Sequence, residues 1–162
     1  MAAIKIFNKN PLSRIAREVA KTIKASYIDN DIKKKSLILG PLIPRIYGLP
    51  KIHKLGIPLR PIVDTRGSPT YKLVKFLANK LNPLVGNTSS IMKDSPFFIE
   101  KLKNRHFDGN ELLLRLDVVS LFTMIPINDA IKVIENLIDH EIAKLVGLCL
   151  RSTFFSFEGE LY

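Results

Sequence analysis

The sequence lacks the cysteines that a disulfide-stabilised fold needs, since Cys149 is the only one among its 162 residues. It lies in the apolar run Val-Gly-Leu-Cys-Leu, which is typical of a small buried side chain. A disulfide framework is therefore excluded, and a reducing compartment fits. No apolar run approaches the roughly 18 residues of a membrane span, and the N-terminus has no signal-peptide core. We therefore expect a soluble, intracellular protein of the nucleus or cytoplasm.

Acidic residues are also scarce. Asp and Glu number 15 against 25 Lys and Arg, which gives a formal charge of +10 and a pI near 9.8. This imbalance favours a polyanionic partner, with nucleic acid first and an anionic membrane surface second. A basic globular protein without such a partner remains an alternative. The hydrophobic content of 46% suffices for the core of one ordinary domain.

Residues 1–40 form a basic segment in which apolar residues recur at helical spacing. Ser13 is a candidate N-cap for a helix that reaches about Ser26. Its predicted apolar face is the set Ile15, Val19, Ile23 and Tyr27. The three consecutive lysines 33–35 are typical of a solvated face and could contact a phosphate backbone without specificity.

Residues 41–110 begin with a proline-rich stretch that excludes a long helix. It predicts a β-hairpin that turns around Leu55-Gly56. The hairpin groups Lys51, His53, Lys54 and Arg60, and period-two alternation puts Lys51 and His53 on one face and Lys54 on the other. Such a hairpin either holds a triphosphate or a nucleic-acid backbone, or is simply a solvent-facing basic surface.

Two helices are predicted after the hairpin. The first begins near Ser68-Pro69 and ends at Asn82-Pro83. Its apolar positions are Leu73, Phe76, Leu77 and Leu81. The second begins at Ser95-Pro96 and ends near residues 107–109, with Phe98, Ile99 and Leu102 on its apolar face.

Residues 111–162 begin with an apolar run that contains one acidic residue, Asp117. Its apolar and β-branched neighbours predict a buried strand with Asp117 near the end. A carboxylate there needs a cation, a metal or hydrogen-bond donors. Spacing alone leaves open whether Asp117 caps a helix, pairs with a basic residue or binds a metal.

A long helix is expected from Asn128 or Asp129 to about Cys149. Its predicted core stripe is Ile131, Ile134, Leu137, Ile138, Ile142, Leu145 and Val146. Asp139, His140 and Glu141 are consecutive, so they point in different directions and are expected to be exposed rather than metal-binding. Residues 153–162 predict a strand that enters a hairpin at Glu158-Gly159. We expect the chain to end inside a domain, before the second strand of that hairpin.

Several linked blocks resemble the reverse transcriptase domain of Penelope-like retroelements, over residues 44–162. The block LPKIHK with PLRPIV resembles the fingers segment, and SPTYKLVKFL resembles the helix that follows it. The block DVVSLFT resembles the first palm motif. The resemblance implies an α/β (α+β) chain with the fingers and palm of a right-hand polymerase. Its three parts would be a basic helical segment (1–40), a fingers-like region (41–110) and the start of the palm (111–162).

The resemblance also implies a chemistry, the copying of RNA into DNA. The expected partners are an RNA template, a DNA primer and a dNTP, with no membrane and with an oligomeric state that the sequence leaves open. Two Mg²⁺ ions are the expected cofactors, and they would hold the attacking and leaving oxygens in line. By motif position, Asp117 is the catalytic and metal-binding carboxylate, and the main-chain carbonyl of Val118 is a further metal ligand.

The resemblance implies nucleotide-binding residues as well. Arg60 matches the arginine expected on the triphosphate, with Lys51 or Lys54 as its companion; the spacing leaves the choice between them open. Phe122 matches the sugar gate, although a core phenylalanine is the alternative. The residues expected against the nucleic-acid backbone are His53, Arg45 and Arg66.

The chain departs from the family pattern in one respect that matters for activity. It contains no Asp-Asp pair, whereas the family carries a later palm motif with paired aspartates. One carboxylate cannot hold two cations against their mutual repulsion. We therefore expect a partial RNA-directed DNA polymerase domain, truncated before that motif and inactive alone. The alternative is a non-catalytic basic fragment that binds nucleic acid.

Overall fold

The computed structural model describes residues 6–88, 90–103, 105, 106, 108–112, 114–118 and 121–162, without the side chains of residues 122 and 123. These residues form a mixed α and β chain, which confirms the predicted class at that level. No helix among them has the length and hydropathy of a membrane span. In chain order the elements are α1 (Leu12–Ala25), α2 (Asn30–Ser36), β1 (Arg45–Pro50), β2 (Leu59–Asp64), α3 (Tyr71–Leu81), α4 (Ser95–Lys103), α5 (Leu121–Met124), α6 (Ile127–Leu137), α7 (His140–Arg151), β3 (Ser156–Phe157) and β4 (Glu160–Leu161).

Helix α1 confirms the first predicted helix, with a different start. Its apolar residues recur every four positions, and Ile15, Val19 and Ile23 are buried as expected. The helix begins at Leu12, whose N–H donates to the Asn10 side-chain oxygen at 2.9 Å, so Ser13 is not the cap. Tyr27 follows the helix and is 90% exposed, because the chain has already left the helical path there.

One hydrophobic core joins three helices that are distant in the sequence. Leu73 and Leu77 of α3 are buried, as the predicted apolar face requires. The buried members of the core are Ile15, Val19, Ile23, Leu73, Leu77, Ile142, Leu145, Val146 and Phe154. Phe154 lies between α7 and β3 and thus attaches the sheet to the helices.

Strands β1 and β2 form the predicted hairpin. They pair antiparallel, from Arg45 opposite Asp64 to Pro50 opposite Leu59. The connection turns through Gly56 at φ +75°, a conformation that glycine adopts without steric cost. The predicted turn around Leu55-Gly56 is therefore confirmed.

The C-terminal residues form a complete two-strand hairpin, contrary to the prediction. Strands β3 and β4 pair antiparallel across Glu158 and Gly159, which both have positive φ. Two such residues match the twist of the flanking strands and make a tight turn. Strand β3 also pairs parallel with β1, with Ser156 opposite Arg45. The sheet order is therefore β2-β1-β3-β4, a long-range pairing that local pattern does not reveal.

The predicted long helix is two helices, α6 and α7. Ile138 is extended (φ −145°, ψ 168°), and the Asp139 side chain accepts a hydrogen bond from the Ile142 N–H at 3.0 Å. Asp139 is thus the N-cap of α7. The predicted core stripe is wrong at Leu137, which lies at the end of α6 and is 59% exposed.

The segment between α4 and α5 differs most from the prediction. Residues 112 and 114–118 form neither helix nor strand, and all of them are exposed. Leu116 and Val118 are 90% and 65% exposed. A strand needs a neighbouring strand for its hydrogen bonds, and the described sheet offers this segment none. Helix α4 likewise leaves Phe98 and Ile99 exposed instead of burying them, and it ends at Lys103.

Candidate functional site: a basic hairpin and an exposed acid

The hairpin loop that carries two of the expected lysines is closed by backbone hydrogen bonds. The Lys51 N–H donates to the Pro58 carbonyl at 3.0 Å, and the Lys54 N–H donates to the Lys51 carbonyl at 3.0 Å. The Ile57 N–H donates to the Lys54 carbonyl at 3.1 Å. This network fixes the loop backbone, so its side chains project from a defined base.

The predicted alternation of the loop side chains is wrong. Lys51, His53 and Lys54 lie in the loop after the end of β1, where the two-residue period of a strand no longer applies. His53 and Lys54 are exposed, and Lys51 is half-buried. The loop therefore presents Lys54 and His53 to solvent.

Arg60 lies on β2, opposite Leu49 of β1. Because side chains alternate along a strand, Arg60 shares a sheet face with Asp64 four residues later, roughly 13 Å away at the usual rise. Arg45 is directly opposite Asp64, so it emerges on the same face. One face of the hairpin thus carries Arg60 toward the loop and Arg45 at its base.

Asp64 and Arg66 form a close ion pair at the base of the hairpin. The Arg66 Nε donates to Asp64 Oδ1 at 2.9 Å and Oδ2 at 3.1 Å, and its Nη2 donates to Oδ2 at 2.7 Å. The backbone N–H of Arg66 also donates to Oδ1 at 3.0 Å. These hydrogen bonds hold the pKa of Asp64 at about 2, below its usual 3.8, and raise the pKa of Arg66.

Acid titration reports this ion pair directly. Because the pKa of Asp64 is lowered on folding, its stabilising contribution is full above about pH 4 and is lost as pH falls toward 2. We expect the Asp64 carboxyl carbon to titrate near pH 2 by NMR. In Arg66→Gln its pKa should rise toward the ordinary value without reaching it, because the backbone hydrogen bond of residue 66 remains. The matched variant Arg105→Gln should leave that midpoint unchanged. A midpoint near 4 in the unmodified chain would contradict the ion pair.

A cavity of about 610 Å³ lies beside this ion pair. Arg45, Asp64, Arg66 and Ser156 supply its polar lining. The remaining lining is apolar and comes from Leu12, Pro41, Leu42 and Ile43. Three neighbouring strands and the loop after β2 therefore meet at one partly polar cavity.

The opposite sheet face has a different chemistry. A cavity of about 380 Å³ there is lined by Ile46, Tyr47, Gly48, Leu59, Pro61, Phe155, Phe157 and Tyr162. The rings of Phe155 and Tyr162 stack with centroids 5.6 Å apart. The Tyr162 hydroxyl hydrogen-bonds to Glu160 at 2.9 Å, and this contact raises the pKa of the phenol. An apolar surface beside a carboxylate is unsuited to an anion. A phosphate would therefore bind on the sheet face that carries Arg45 and Arg60.

Asp117 lies in the exposed segment before α5, with its carboxylate accessible to solvent. Among the described residues, no salt bridge and no side-chain hydrogen bond involves Asp117, so the alternatives of an ion pair and of a helix cap are not observed there. No salt bridge or side-chain hydrogen bond among the described residues therefore joins Asp117 to the hairpin. Within the described part of the chain, Asp117 is thus exposed and makes no such contact with the basic residues of the hairpin.

The described residues contain no group of three or more His, Cys, Asp or Glu side chains that could hold a metal ion. Mg²⁺ is often held by one or two carboxylates together with substrate phosphates instead of by an all-protein cage. A single accessible carboxylate such as Asp117 fits that mode for one ion. The Phe122 side chain, expected at the sugar gate, lies outside the described residues.

Cys149 lacks the lowered thiol pKa that is typical of a reactive cysteine. It is half-buried in α7, and burial raises the pKa of its thiol from 9.0 to about 12. The interpretation of Cys149 as a small buried side chain agrees with this environment.

The residue that sequence reasoning missed is Asp64. Its signal was present in the spacing Asp64-Thr65-Arg66, because an aspartate often accepts from the backbone N–H two residues later. The same geometry brings the Arg66 guanidinium back onto the carboxylate. Comparison with known proteins does not add to this assignment: no family model, no curated protein and no solved structure matches the chain.

Proposed function

We propose that the chain is part of an RNA-directed DNA polymerase, comprising fingers and the first palm segment. The observation that carries the proposal is the basic hairpin of β1 and β2, which presents Lys54 and Arg60 to solvent and is followed directly by amphipathic α3. The same order, hairpin and then helix, is what the resemblance to Penelope-like reverse transcriptases requires.

The hairpin chemistry suits a nucleoside triphosphate. A guanidinium offers two parallel N–H donors to phosphate oxygens, whereas an ammonium acts as a compact point charge. Arg60 on the strand has a backbone fixed by the ladder, and Lys54 belongs to a hydrogen-bonded loop. In this proposal Arg60 orients the triphosphate, and Lys51 or Lys54 neutralises its charge.

Asp117 is the proposed ligand of Mg²⁺ that arrives with the triphosphate. When bound, the ion would stabilise the charge that develops on the reacting phosphate oxygens. The Val118 carbonyl is the proposed second protein ligand, and Phe122 the proposed sugar gate. Since the sequence has no Asp-Asp pair, the second ion has no carboxylates of its own here, and we propose that this chain alone does not synthesise DNA.

A paramagnetic probe tests the Asp117 assignment independently of synthesis. We expect Mn²⁺ with dTTP to broaden NMR signals near Lys54, Arg60 and Asp117, since Mn²⁺ substitutes for Mg²⁺ and relaxes nearby nuclei. In Asp117→Asn the broadening of the segment around residue 117 should be lost, because an amide is a much weaker ligand for a hard cation than a carboxylate.

The matched control for this experiment is Glu100→Gln, which removes an exposed carboxylate on α4. It should leave the broadening at Asp117 unchanged. Equal broadening in Asp117→Asn and in the unmodified chain would show that the acid is not a metal ligand and would remove the polymerase proposal. Broadening that is absent from the hairpin would remove the triphosphate assignment.

A second candidate function is non-catalytic binding of nucleic acid by the hairpin. The observation that favours it is the exposure of Arg45, Arg60 and Arg66 on a chain of net charge +10. Asp117→Asn separates the two candidates, because a pure binder should hold nucleic acid equally well or slightly better once one negative charge is gone.

A further inference from the structure

The cavity at the base of the hairpin brings together side chains from a single row of the sheet. Asp64 of β2, Arg45 of β1 and Ser156 of β3 are in register with one another. Arg66 follows β2 and turns back onto Asp64, so both arginines line the same cavity of about 610 Å³.

Asp64 leaves one edge of the Arg66 guanidinium unused. A guanidinium has five N–H donors in a rigid plane. Asp64 engages the Nε side and one Nη2 hydrogen. Within the described part of the chain, no hydrogen bond involves Nη1 or the second Nη2 hydrogen. One Nη1 hydrogen and the second Nη2 hydrogen lie parallel and form the fork that matches two oxygens of a phosphate.

The loop backbone also keeps Arg66 in place. The Leu42 N–H donates to the Gly67 carbonyl at 2.8 Å, and the Ser68 N–H donates to the Thr65 carbonyl at 2.9 Å. Gly67 has φ +76°, which favours glycine. Asp64 thus holds the guanidinium of Arg66, and these hydrogen bonds hold the backbone around it. A side chain restrained in this way loses little further conformational entropy when it binds a ligand.

Arg45 adds the second cation. Among the described residues no carboxylate lies within 4 Å of it, so Arg45 forms no ion pair there. With one acid and two arginines, the polar lining has a formal charge of +1. This charge favours an anion over a cation in the cavity.

We propose that this cavity binds a phosphate group of a nucleic-acid strand, through Arg45 and the free edge of Arg66, with Asp64 as the positioning residue. The claim that the phosphate belongs to a nucleic acid rests on the proposed function. The claim that the cavity binds phosphate does not. The site is distinct from the hairpin loop, since it lies at the opposite end of β1 and β2 from Lys54.

Inorganic phosphate is the first probe, monitored by NMR at the backbone amides of residues 64–67 and the arginine Nε–Hε signals. We expect Arg45→Gln and Arg66→Gln each to weaken phosphate binding roughly tenfold, as expected for a charge-assisted hydrogen bond. Arg105→Gln removes the same charge outside the cavity and should leave the affinity within about twofold. Equal affinities in all three variants would overturn the proposal.

Asp64→Asn distinguishes a positioned site from simple charge attraction. The asparagine oxygen can still accept from the Arg66 N–H, so the turn is retained, while the local formal charge rises to +2. A positioned site predicts weaker phosphate binding despite that extra charge, because Arg66 is released. Tighter binding would show that charge alone attracts phosphate and would overturn the positioning role.

Competition identifies the source of the phosphate. A short single-stranded RNA should displace inorganic phosphate from the cavity in the unmodified chain and do so less well in Arg66→Gln. Failure of RNA to compete, or displacement only by vesicles of phosphatidic acid in phosphatidylcholine, would overturn the nucleic-acid assignment. These measurements use neither Mn²⁺ nor dTTP, so they can fail or succeed separately from the test of Asp117.

Discussion

Replacing Leu145 with alanine is expected to lower the free energy of unfolding by about 2–5 kcal/mol. Leu145 has no exposed surface and lies in α7, where the core residues of α1 and α3 also meet. Truncation removes three buried heavy atoms and leaves a cavity that the surrounding helices can fill only in part. Urea denaturation followed by circular dichroism measures the loss.

The matched control is Leu137→Ala, the same change at a residue that is 59% exposed. Its expected cost is about 0.5 kcal/mol or less, as for most surface substitutions. Similar costs at the two positions would show that α7 is not packed in the core. A cooperative transition in the unmodified chain is also expected, because α1, α3 and α7 share one cluster.

That shared core explains why some elements were predictable from sequence. Helices α1 and α3 have apolar residues at helical spacing, and these stripes are the faces that become buried. The β1–β2 hairpin is also local, since its turn and both strands lie within twenty residues. In each case the information that determines the element lies within the element.

The errors share a different cause, which is dependence on distant partners. The parallel pairing of Arg45 with Ser156 joins residues more than a hundred positions apart, so the sheet order could not be predicted. Residues 114–118 belong to an apolar run that predicted a buried strand, but no strand of the described sheet lies beside them, so the run alone misled the prediction. The break at Ile138 depends on Asp139 acting as a cap, a role that competes with continuing the helix.

In the candidate site, too, the sequence predicted only the residues whose positions depend on local structure. Sequence identified the cations of the hairpin because Lys54 and Arg60 flank a turn that the glycine and prolines determine. It could not identify the cavity, which needs Ser156 beside Arg45 and Arg66 folded onto Asp64. Side-chain convergence of this kind is a tertiary property, and only the short Asp64-Thr65-Arg66 spacing gave a local signal.

The triple variant Lys51→Gln/Lys54→Gln/Arg60→Gln is expected to weaken binding of single-stranded RNA about 100-fold at 0.1 M salt. Each phosphate contact on a single strand contributes roughly 0.7 to the slope of log K against log salt. Removing three contacts should therefore lower the magnitude of that slope by about 2. Fluorescence anisotropy over a salt series measures both quantities.

The control for this variant is Lys33→Gln/Lys34→Gln/Lys35→Gln, which removes three consecutive lysines of α2. Both triple variants lower the formal charge by the same three units, so any difference between them reports position and not net charge. A slope that falls equally in both would mean that RNA contacts the basic surface diffusely. A slope that falls only in the hairpin variant would assign the contacts to the loop and to β2, because the two proteins then differ only in where their cations lie.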